Sequence, residues 1–373
     1  MRDIVVIGAG KIGSAIAAML AETGDYRVTV ADRDAAAAAA GARHPNVEPA
    51  SVDIRNEAAL RALLKGRYAV LSAAPFQLTT AIAQAAAASS VHYLDLTEDV
   101  ASTRCVTELA KGSVTAFIPQ CGLAPGFISI VANALAGRFD TLDTMRLRVG
   151  ALPEFPSNAL GYNLTWSTDG VINEYIEPCE AIVDGRKILV PAMEELEMLS
   201  IDGTQYEAFN TSGGLGSLCE TYAGKVRSLN YRTMRYPGHA AIMKTLLNDL
   251  GLRHRREVLK DIMEHALPAT RQDVVVTFAT VTGMRNGRLT QETDARRIHS
   301  GLIAGEVHSA IQITTAAGIC TVLDLLSAGI LPQRGFVRQE DVPFDVFLAN
   351  RFGRRYVRQG AVDGAPERLR DAA

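Results

Sequence analysis

The segment that most constrains the fold is the start of the chain, residues 1–34. It opens with an apolar run at 4–7 that Gly8 closes, continues with an alanine-rich helical pattern over 12–22, and ends in a β-branched run at 27–30. Short apolar runs bounded by glycine are typical of buried strands, and the helical period between them is typical of an amphipathic helix. The order predicts a strand, a glycine turn, a helix and a second strand, which together open a doubly wound parallel sheet.

The glycine turn has the GxGxxG spacing. Gly8 permits a tight turn, Gly10 lets the backbone approach a pyrophosphate, and Gly13 allows the helix to pack closely on the strand. The first turn of the helix, which contains Lys11 and Ile12, offers unpaired N–H groups and a positive dipole end to phosphates. Because the motif follows a predicted strand and begins a predicted helix, it predicts that these five residues bind a dinucleotide.

An acidic residue at the end of the second predicted strand indicates which dinucleotide is bound. Asp32 lies about 20 residues beyond the motif, where a carboxylate accepts hydrogen bonds from the adenosine ribose. A 2′-phosphate would meet this negative charge, so Asp32 favours NAD, whereas the neighbouring Arg33 leaves NADP open. Asp53, which ends the third predicted strand, is a further cofactor-binding candidate. The pattern predicts a nicotinamide-dependent oxidoreductase.

Strand-like and helix-like segments alternate through the first third of the chain. This alternation predicts an α/β fold with a Rossmann doubly wound parallel sheet over residues 1–130. Later β-like segments lie at 145–150, 164–166, 181–183, 187–190 and 274–282, with Asp-Gly and Asn-Gly turns at 184–185 and 286–287. They predict a second α/β domain, the substrate or catalytic domain, on a largely antiparallel sheet over 131–309. The helical pattern from 310 onward predicts that residues 310–373 return to the first domain.

Small and polar residues follow three later strands of the predicted first sheet. Ala73, Ala74 and Pro75 end one strand, where a nicotinamide ribose would lie against the backbone, although a proline-terminated strand explains them equally well. Asp95 ends the next strand, where a carboxylate can hold an amine or accept its proton, or cap the following helix. Cys121 ends a third strand and is interpreted as a small wall residue of the substrate pocket, because no paired base is evident nearby.

The composition limits the other functional classes. The formal net charge is -3, and no stretch interleaves Lys and Arg with aromatic residues, which argues against nucleic-acid and membrane-surface partners. The 5 cysteines form no CxxC pair, which argues against a disulfide framework and a metal site. No secretory signal and no long apolar span are evident in the sequence. We expect a cytoplasmic enzyme with a small-molecule substrate.

Six runs of the sequence resemble one known family. They are residues 8–13, 93–97, 121–126, 160–166, 234–239 and 335–340. The chain resembles the saccharopine dehydrogenase-like family, and within it the branch of L-lysine 6-dehydrogenases. The resemblance implies a Rossmann domain, a catalytic α/β domain and a final segment that folds back onto the first. It also implies that Asp95, Cys121 and Trp166 lie at the substrate.

One departure from the family pattern bears on the substrate. The reductases of the family carry an arginine beyond that tryptophan, where it holds the carboxylate of the glutamate half of saccharopine. The comparable stretch here, 209–215, contains Thr211 and no arginine, and it is similar to lysine 6-dehydrogenases. A site without this second carboxylate clamp suits free lysine better. Arg235, if it is not a surface charge, offers a forked donor for the single α-carboxylate.

The resemblance implies NAD-dependent oxidation of the ε-carbon of L-lysine, giving 2-aminoadipate 6-semialdehyde and ammonia. Asp95 is the first candidate for the proton acceptor, and His239 acting through water is the second. Tyr162 and Trp166 are candidates for the wall around the aliphatic stem, although a tryptophan is more often core packing. A saccharopine- or carboxynorspermidine-type NADP-dependent reductase remains an alternative, as does a nicotinamide-sensing binding module. The family implies a homo-oligomer, with a dimer favoured.

Overall fold

The computed structural model describes residues 1–357, so the part of the predicted return that falls on 358–373 lies outside the described residues. Strands β1 to β17 are, in chain order, Arg2–Ile7, Tyr26–Asp32, Val47–Ser51, Ala69–Ser72, His92–Asp95, Ala116–Ile118, Thr141–Pro153, Cys179–Val183, Arg186–Val190, Glu197–Ile201, Thr204–Asn210, Ser228–Arg235, Asp273–Arg285, Arg288–His299, Gly301–Ile303, Glu306–His308 and Gly335–Phe336. Helices α1 to α12 are Lys11–Ala21, Ala35–Gly41, Glu57–Leu64, Thr79–Ser89, Val100–Ala110, Phe127–Ala136, Thr168–Ile176, Leu218–Tyr222, His239–Lys244, Arg256–Ala266, Ala310–Ser327 and Phe344–Ala349. Short 3-10 turns occupy Phe76–Leu78, Leu252–His254, Gln339–Asp341 and Gly353–Tyr356, and a π turn occupies Thr245–Asp249.

The first sheet contains seven parallel strands in the order β17-β6-β5-β4-β1-β2-β3. Strand β1, which lies inside the sheet between β4 and β2, is buried on both faces. Ile4 and Val6 belong to one hydrophobic core, and Val5 and Ile7 belong to the other. Successive side chains of a strand point to opposite faces, so a continuous apolar run is what a strand covered by helices on both sides requires. This confirms the predicted doubly wound sheet.

The second sheet is mixed, in the order β10-β11-β12-β7-β13-β14, with β8 attached to β12 and β9 attached to β8. The β12–β7 pair is parallel and the other pairs are antiparallel, which confirms the largely antiparallel sheet. β13 and β14 form a hairpin whose turn residues Asn286 and Gly287 both have positive φ, as an Asn-Gly turn predicts. The β-like segment 164–166 is not a strand, because only Leu164 makes an isolated bridge, with Ala269.

The chain comes back to the first sheet near the end of the described part. Helix α11 packs along α1, and β17 pairs beside β6. The carboxylate of Asp273, on β13, accepts hydrogen bonds from the backbone N–H groups of Ala310 and Ile311. This contact seats the N-terminus of α11 on the second sheet, so the helix connects the two halves. The division of the chain at residue 130 stays a prediction.

Helix α11 is also, within residues 1–357, the one helix long and apolar enough to cross a membrane. Its mean hydropathy is 1.5, and 83% of this 18-residue helix is buried inside the protein. Core helices of this kind meet the same length and composition test as membrane spans, because both are apolar on all sides.

Candidate active site

A cavity of about 450 Å³ opens where the carboxyl ends of the first sheet face the second sheet. Its first-domain wall includes Gly8, Gly10, Ile12, Asp32, Ala73, Ala74, Pro75, Glu98 and residues 122–125. Its second-domain wall includes Trp166, Gly170, Glu174, Tyr231, Thr233 and Arg235. Ligands of open α/β sheets bind outside the carboxyl ends of the strands. The cavity is therefore the candidate active site.

The glycine turn at one end of this cavity fits a dinucleotide. A Cβ on Gly13 would lie 1.7 Å from the carbonyl oxygen of Gly8, and a Cβ on Gly8 would lie 2.7 Å from the carbonyl oxygen of Ala73. The lack of a side chain at these two glycines therefore allows the helix, the turn and the end of β4 to pack in direct contact. A Cβ on Gly10 would meet nothing within 4 Å, and no side chain caps the helix that follows it. The turn thus presents open space and unpaired N–H groups, which a pyrophosphate requires.

The acidic residue at the end of β2 is also in place. The Asp32 carboxylate lines the cavity and accepts hydrogen bonds from the backbone N–H groups of Ala9, at 2.9 Å, and Asp34, at 3.1 Å. Lys11, Arg33 and Asp53 are exposed and lie outside the cavity wall. For these three side chains, contact with a cofactor stays a prediction.

Asp95 is held beneath the cavity and does not line it. Its side chain is 1% exposed and accepts hydrogen bonds from the Tyr93 hydroxyl at 2.8 Å, the Thr97 N–H at 3.0 Å and the Gln120 N–H at 2.8 Å. Burial raises the pKa of this carboxyl to about 6, and the three hydrogen bonds oppose the rise. This corrects the expectation that Asp95 faces the substrate, because the turns after β5 and β6 use the carboxylate as their acceptor.

Cys121 is likewise buried, and its neighbours form the wall instead. Its thiol donates to the carbonyl oxygen of Ile118 at 3.0 Å, and the Gln339 amide lies 3.2 Å from the sulfur. Burial raises the pKa of the Cys121 thiol well above its usual range. Residues 122–125 line the cavity, so the predicted wall lies one residue further along the chain.

Arg235 reaches the cavity from the end of β12 and is fixed by a chain of hydrogen bonds. Its Nε donates to the Tyr175 hydroxyl at 2.9 Å, and its Nη1 donates to the carbonyl oxygen of Met234 at 2.9 Å. Tyr175 in turn lies 2.9 Å from Nε2 of His239, whose Nδ1 lies 2.9 Å from the carbonyl oxygen of Leu160. Within residues 1–357, Nη2 of Arg235 makes no hydrogen bond. The side chain therefore presents one unpaired end of its guanidinium group to the cavity.

The directions of these hydrogen bonds follow from their ends. Arginine only donates and a carbonyl oxygen only accepts, so the hydroxyl of Tyr175 donates to His239, whose Nδ1 carries the proton. Burial and the nearby Arg235 lower the pKa of His239 to about 3, which keeps its ring neutral. His239 is 1% exposed and outside the cavity wall. This corrects the expectation that it exchanges a proton with the substrate, because both its ring nitrogens are already paired inside the protein.

The other predicted substrate-binding residues have different placements. Trp166 lines the cavity, and its indole lies so close to Gly170 that a Cβ there would come within 2.4 Å of the ring. Tyr162 is fully buried, and its ring lies 5.0 Å from the guanidinium carbon of Arg235. Thr211 pairs with the hydroxyl of Thr233, which does line the cavity, at 2.7 Å. Tyr162 and Thr211 therefore stand one layer behind the cavity wall.

Two glutamates in the cavity wall, Glu98 and Glu174, were not predicted as site residues from the sequence. Burial raises the pKa of Glu98 to about 7 and that of Glu174 to about 8. The short run after β5 carries Glu98, and α7 carries Glu174 among buried apolar residues. A glutamate on the buried face of a helix pattern is the one available signal for Glu174, because charged residues are seldom buried without a partner. The sequence offers no comparable signal for Glu98.

No group of three or more His, Cys, Asp or Glu side chains in residues 1–357 is placed to hold a metal ion.

Comparison with protein families accounts for nearly all of the described chain. Residues 4–116 match the saccharopine dehydrogenase NADP binding domain, and residues 122–352 match the saccharopine dehydrogenase C-terminal domain. Among curated proteins, the chain is 22% identical over 330 residues to a saccharopine dehydrogenase [NADP(+), L-glutamate-forming] of Pyricularia oryzae, covering 81% of this chain and 70% of that protein. It is 21% identical to the mitochondrial alpha-aminoadipic semialdehyde synthase of Mus musculus, covering 72% of this chain but only 30% of that protein.

Solved structures share the same fold at low identity. The saccharopine dehydrogenase (L-Glu forming) of Saccharomyces cerevisiae has a TM-score of 0.75 at 17% identity, with 91% of this chain and 94% of that chain covered. The homospermidine synthase of Legionella pneumophila, solved in complex with NAD, has a TM-score of 0.68 at 13% identity, with 96% and 90% covered. The fold, the nicotinamide-dinucleotide-binding domain and the two family matches agree, and this chain belongs to the saccharopine dehydrogenase family of oxidoreductases.

Proposed function

We propose that this protein catalyses the NAD-dependent oxidative deamination of the ε-amino group of L-lysine, giving 2-aminoadipate 6-semialdehyde and ammonia. The observation that carries the proposal is the single cationic group of the cavity. Among its lining residues, all of which are in the described part of the chain, Arg235 is the one basic side chain. A substrate with one carboxylate matches this wall, whereas saccharopine carries several carboxylates.

The arrangement of the second-domain wall supports an amino acid substrate. The unpaired Nη2 of Arg235 is placed to bind the α-carboxylate with a charge-assisted hydrogen bond. The Trp166 ring supplies an apolar surface for the aliphatic stem, since it lines the same cavity. The glycine turn occupies the other end, so a substrate bound by Arg235 directs its far amine toward the cofactor side.

The bound nicotinamide supplies the hydride acceptor. NAD is proposed over NADP because the Asp32 carboxylate lines the cavity, whereas the cationic Arg33 beside it lies outside the wall. The relatives from Pyricularia oryzae and Saccharomyces cerevisiae are named as NADP(+) enzymes, so this part of the proposal distinguishes the chain from them. A homodimer and a cytoplasmic location are proposed only on the family resemblance and the composition.

A second candidate function is the NADP-dependent reductase reaction that joins an amine to an aldehyde. A smaller cavity of about 220 Å³ supports it, because Tyr231 lines both cavities. Arg104 and Arg338 lie on the wall of the smaller cavity and could receive the additional carboxylates of a conjugated substrate. The two functions therefore differ in which arginines the substrate uses.

The absorbance of reduced nicotinamide separates the two functions. Purified protein is assayed with lysine and NAD, and with an amino acid, an aldehyde and NADPH. We expect NADH formation with lysine, a large loss in Arg235→Gln, and no loss in the matched control Arg338→Gln. Absence of lysine oxidation, together with a reductive reaction that Arg338→Gln weakens, would replace the proposed function with the second candidate.

A further inference from the structure

We propose that Glu98 and Glu174 form a carboxyl pair that accepts the proton of the substrate amine before hydride transfer. This inference rests on the proposed function and deepens it. Both side chains line the cavity that contains the glycine turn and Arg235. The pair takes the place of Asp95 and His239, whose acceptor atoms are paired inside the protein.

Glu174 is a buried carboxyl that is left unpartnered. Helix α7 begins after Ser167, whose hydroxyl accepts a hydrogen bond from the Gly170 N–H at 3.2 Å. Residues four apart share a helix face, so Gly170 and Glu174 both face the cavity. Glu174 is 8% exposed, and its carboxylate makes no hydrogen bond or ion pair with residues 1–357. A buried carboxyl without a partner costs free energy unless a ligand meets it.

Glu98 is placed beside the first turn of the same helix. A Cβ on Gly213 would lie 2.7 Å from the backbone oxygen of Glu98, and a Cβ on Gly170 would lie 3.3 Å from its Oε1. The first contact requires glycine at 213 and fixes the backbone at Glu98. The second shows that the carboxyl of Glu98 lies over α7, next to Trp166, which also contacts Gly170.

The surrounding charges favour a single proton on the pair. Burial is the main cause of the raised pKa values of both carboxyls; the charge of Glu98 raises the pKa of Glu174 further, and the charges of Asp99 and Asp95 raise that of Glu98. Arg235 opposes the rise at Glu174. The phenols of Tyr162, Tyr175 and Tyr231 and the thiol of Cys179 also lie near Glu174, and their raised pKa values keep them neutral near pH 7. Asp169, on the same helix and in the same cavity wall, is paired with Lys260 at 2.7 Å. Because burial and Glu98 raise the pKa of Glu174 above that of Glu98, Glu98 ionises first as the pH rises, and Glu174 keeps its proton longer.

The pair acts on the substrate amine before hydride transfer. The N–H bond of the ε-ammonium group breaks, its electron pair stays on nitrogen, and an O–H bond forms on the ionised carboxyl. The neutral amine then donates its electron pair as the ε-carbon loses a hydride to the bound nicotinamide, leaving a protonated imine. Water adds to the imine, which releases ammonium and the semialdehyde. The net products from lysine, NAD and water include one proton, which the pair returns to solvent.

The test uses the isosteric variants Glu98→Gln and Glu174→Gln in the full chain, with the exposed Glu48→Gln as the matched control. Wild-type kcat/KM for lysine is expected to rise with pH through the neutral range. Each cavity variant is expected to lose about 100-fold or more in kcat, the usual contribution of a general base, and to lose that rise. NADH binding and Glu48→Gln are expected to be unchanged. Wild-type kcat and an unchanged pH profile in both cavity variants would overturn the proposal.

A second measurement separates this inference from the proposed function. Calorimetric titration with L-lysine in buffers of different ionisation enthalpy counts the protons exchanged on binding. We expect the cavity variants to exchange fewer protons than the wild type, even if lysine is not oxidised, and an equal count would overturn the proposal. Glu98→Asp and Glu174→Asp keep a carboxyl and are expected to keep the pH-dependent rise at a lower rate. They serve where an amide variant does not fold, and loss of the rise in these variants also contradicts the proposal.

Discussion

The hydrogen-bond chain behind Arg235 leads to a sharp prediction for Tyr175→Phe. The Tyr175 hydroxyl accepts from Nε of Arg235 and donates to Nε2 of His239, each at 2.9 Å, and the three residues are all at least 97% buried. A hydrogen bond to a charged group contributes about 1.5–3 kcal/mol and a neutral one about 0.5–1.5 kcal/mol, so Tyr175→Phe should lower the free energy of unfolding by roughly 2–4 kcal/mol. The same change removes the hydrogen bond that fixes the orientation of the Arg235 guanidinium group, which is then free to rotate.

Ligand binding gives the second readout for Tyr175→Phe. L-norleucine has the α-carboxylate but no ε-amine, whereas cadaverine has two amines and no carboxylate. Loss of orientation at Arg235 should weaken norleucine binding by about tenfold, which corresponds to about 1.4 kcal/mol. Binding of cadaverine should change little. The perturbation is therefore selective for ligands that carry the group Arg235 is proposed to hold.

The matched control is Tyr206→Phe, measured by urea denaturation and calorimetry beside Tyr175→Phe. Tyr206 is also fully buried, but its hydroxyl has no hydrogen-bond partner within the described residues. Its removal should leave stability unchanged or slightly higher, because no hydrogen bond is lost. If both variants have the same stability and the same norleucine affinity, Arg235 is not held through Tyr175 and the reasoning fails.

Three further predictions follow from the same cavity. Glu174 keeps its proton in the folded protein up to about pH 8 but loses it in the unfolded chain near its ordinary pKa, so wild-type stability should fall as pH rises between these values. Glu174→Gln should reduce that fall in urea titrations at about pH 5 and about pH 8, with a smaller fall left from the raised pKa values of Glu98 and Asp95, and a fall of wild-type size in the variant would contradict it. Gly10→Ala should keep the melting temperature and lose NADH affinity, whereas Gly13→Ala should fail to fold, because only the latter Cβ meets backbone. Asp32→Asn should raise the affinity for NADPH relative to NADH in fluorescence titrations, and an unchanged ratio would show that Asp32 does not select the cofactor.

The cofactor end of the site was predictable because its signal is local. The glycines of residues 8–13 act through their own backbone geometry, and the apolar run before them, bounded by Gly8, is typical of a strand buried on both faces. The residues that form this end of the site therefore lie within one short segment of the sequence. The doubly wound sheet and the second sheet were predicted correctly for the same reason, from periodicity and turn residues.

The substrate end was only partly predictable. Asp95 was correctly placed at a strand end, but the sequence does not reveal that the N–H groups of Thr97 and Gln120 need its carboxylate. Glu98 and Glu174 come from segments far apart in the chain and meet only through tertiary packing. A polar residue in an apolar segment indicates either a structural hydrogen-bond partner or a functional role, and only the three-dimensional structure distinguishes the two.

The position of β17 has a consequence for how the protein forms during synthesis. The sheet that contains the glycine turn also contains Gly335–Phe336, and its first helix packs along Ala310–Ser327. When only the first 130 residues have left the ribosome, the face of α1 that packs against α11 in the finished protein is therefore still exposed. We expect the nascent cofactor-binding half to wait, exposed and dependent on chaperones, until nearly the entire chain has emerged. The part of the enzyme that is translated first would then be completed last.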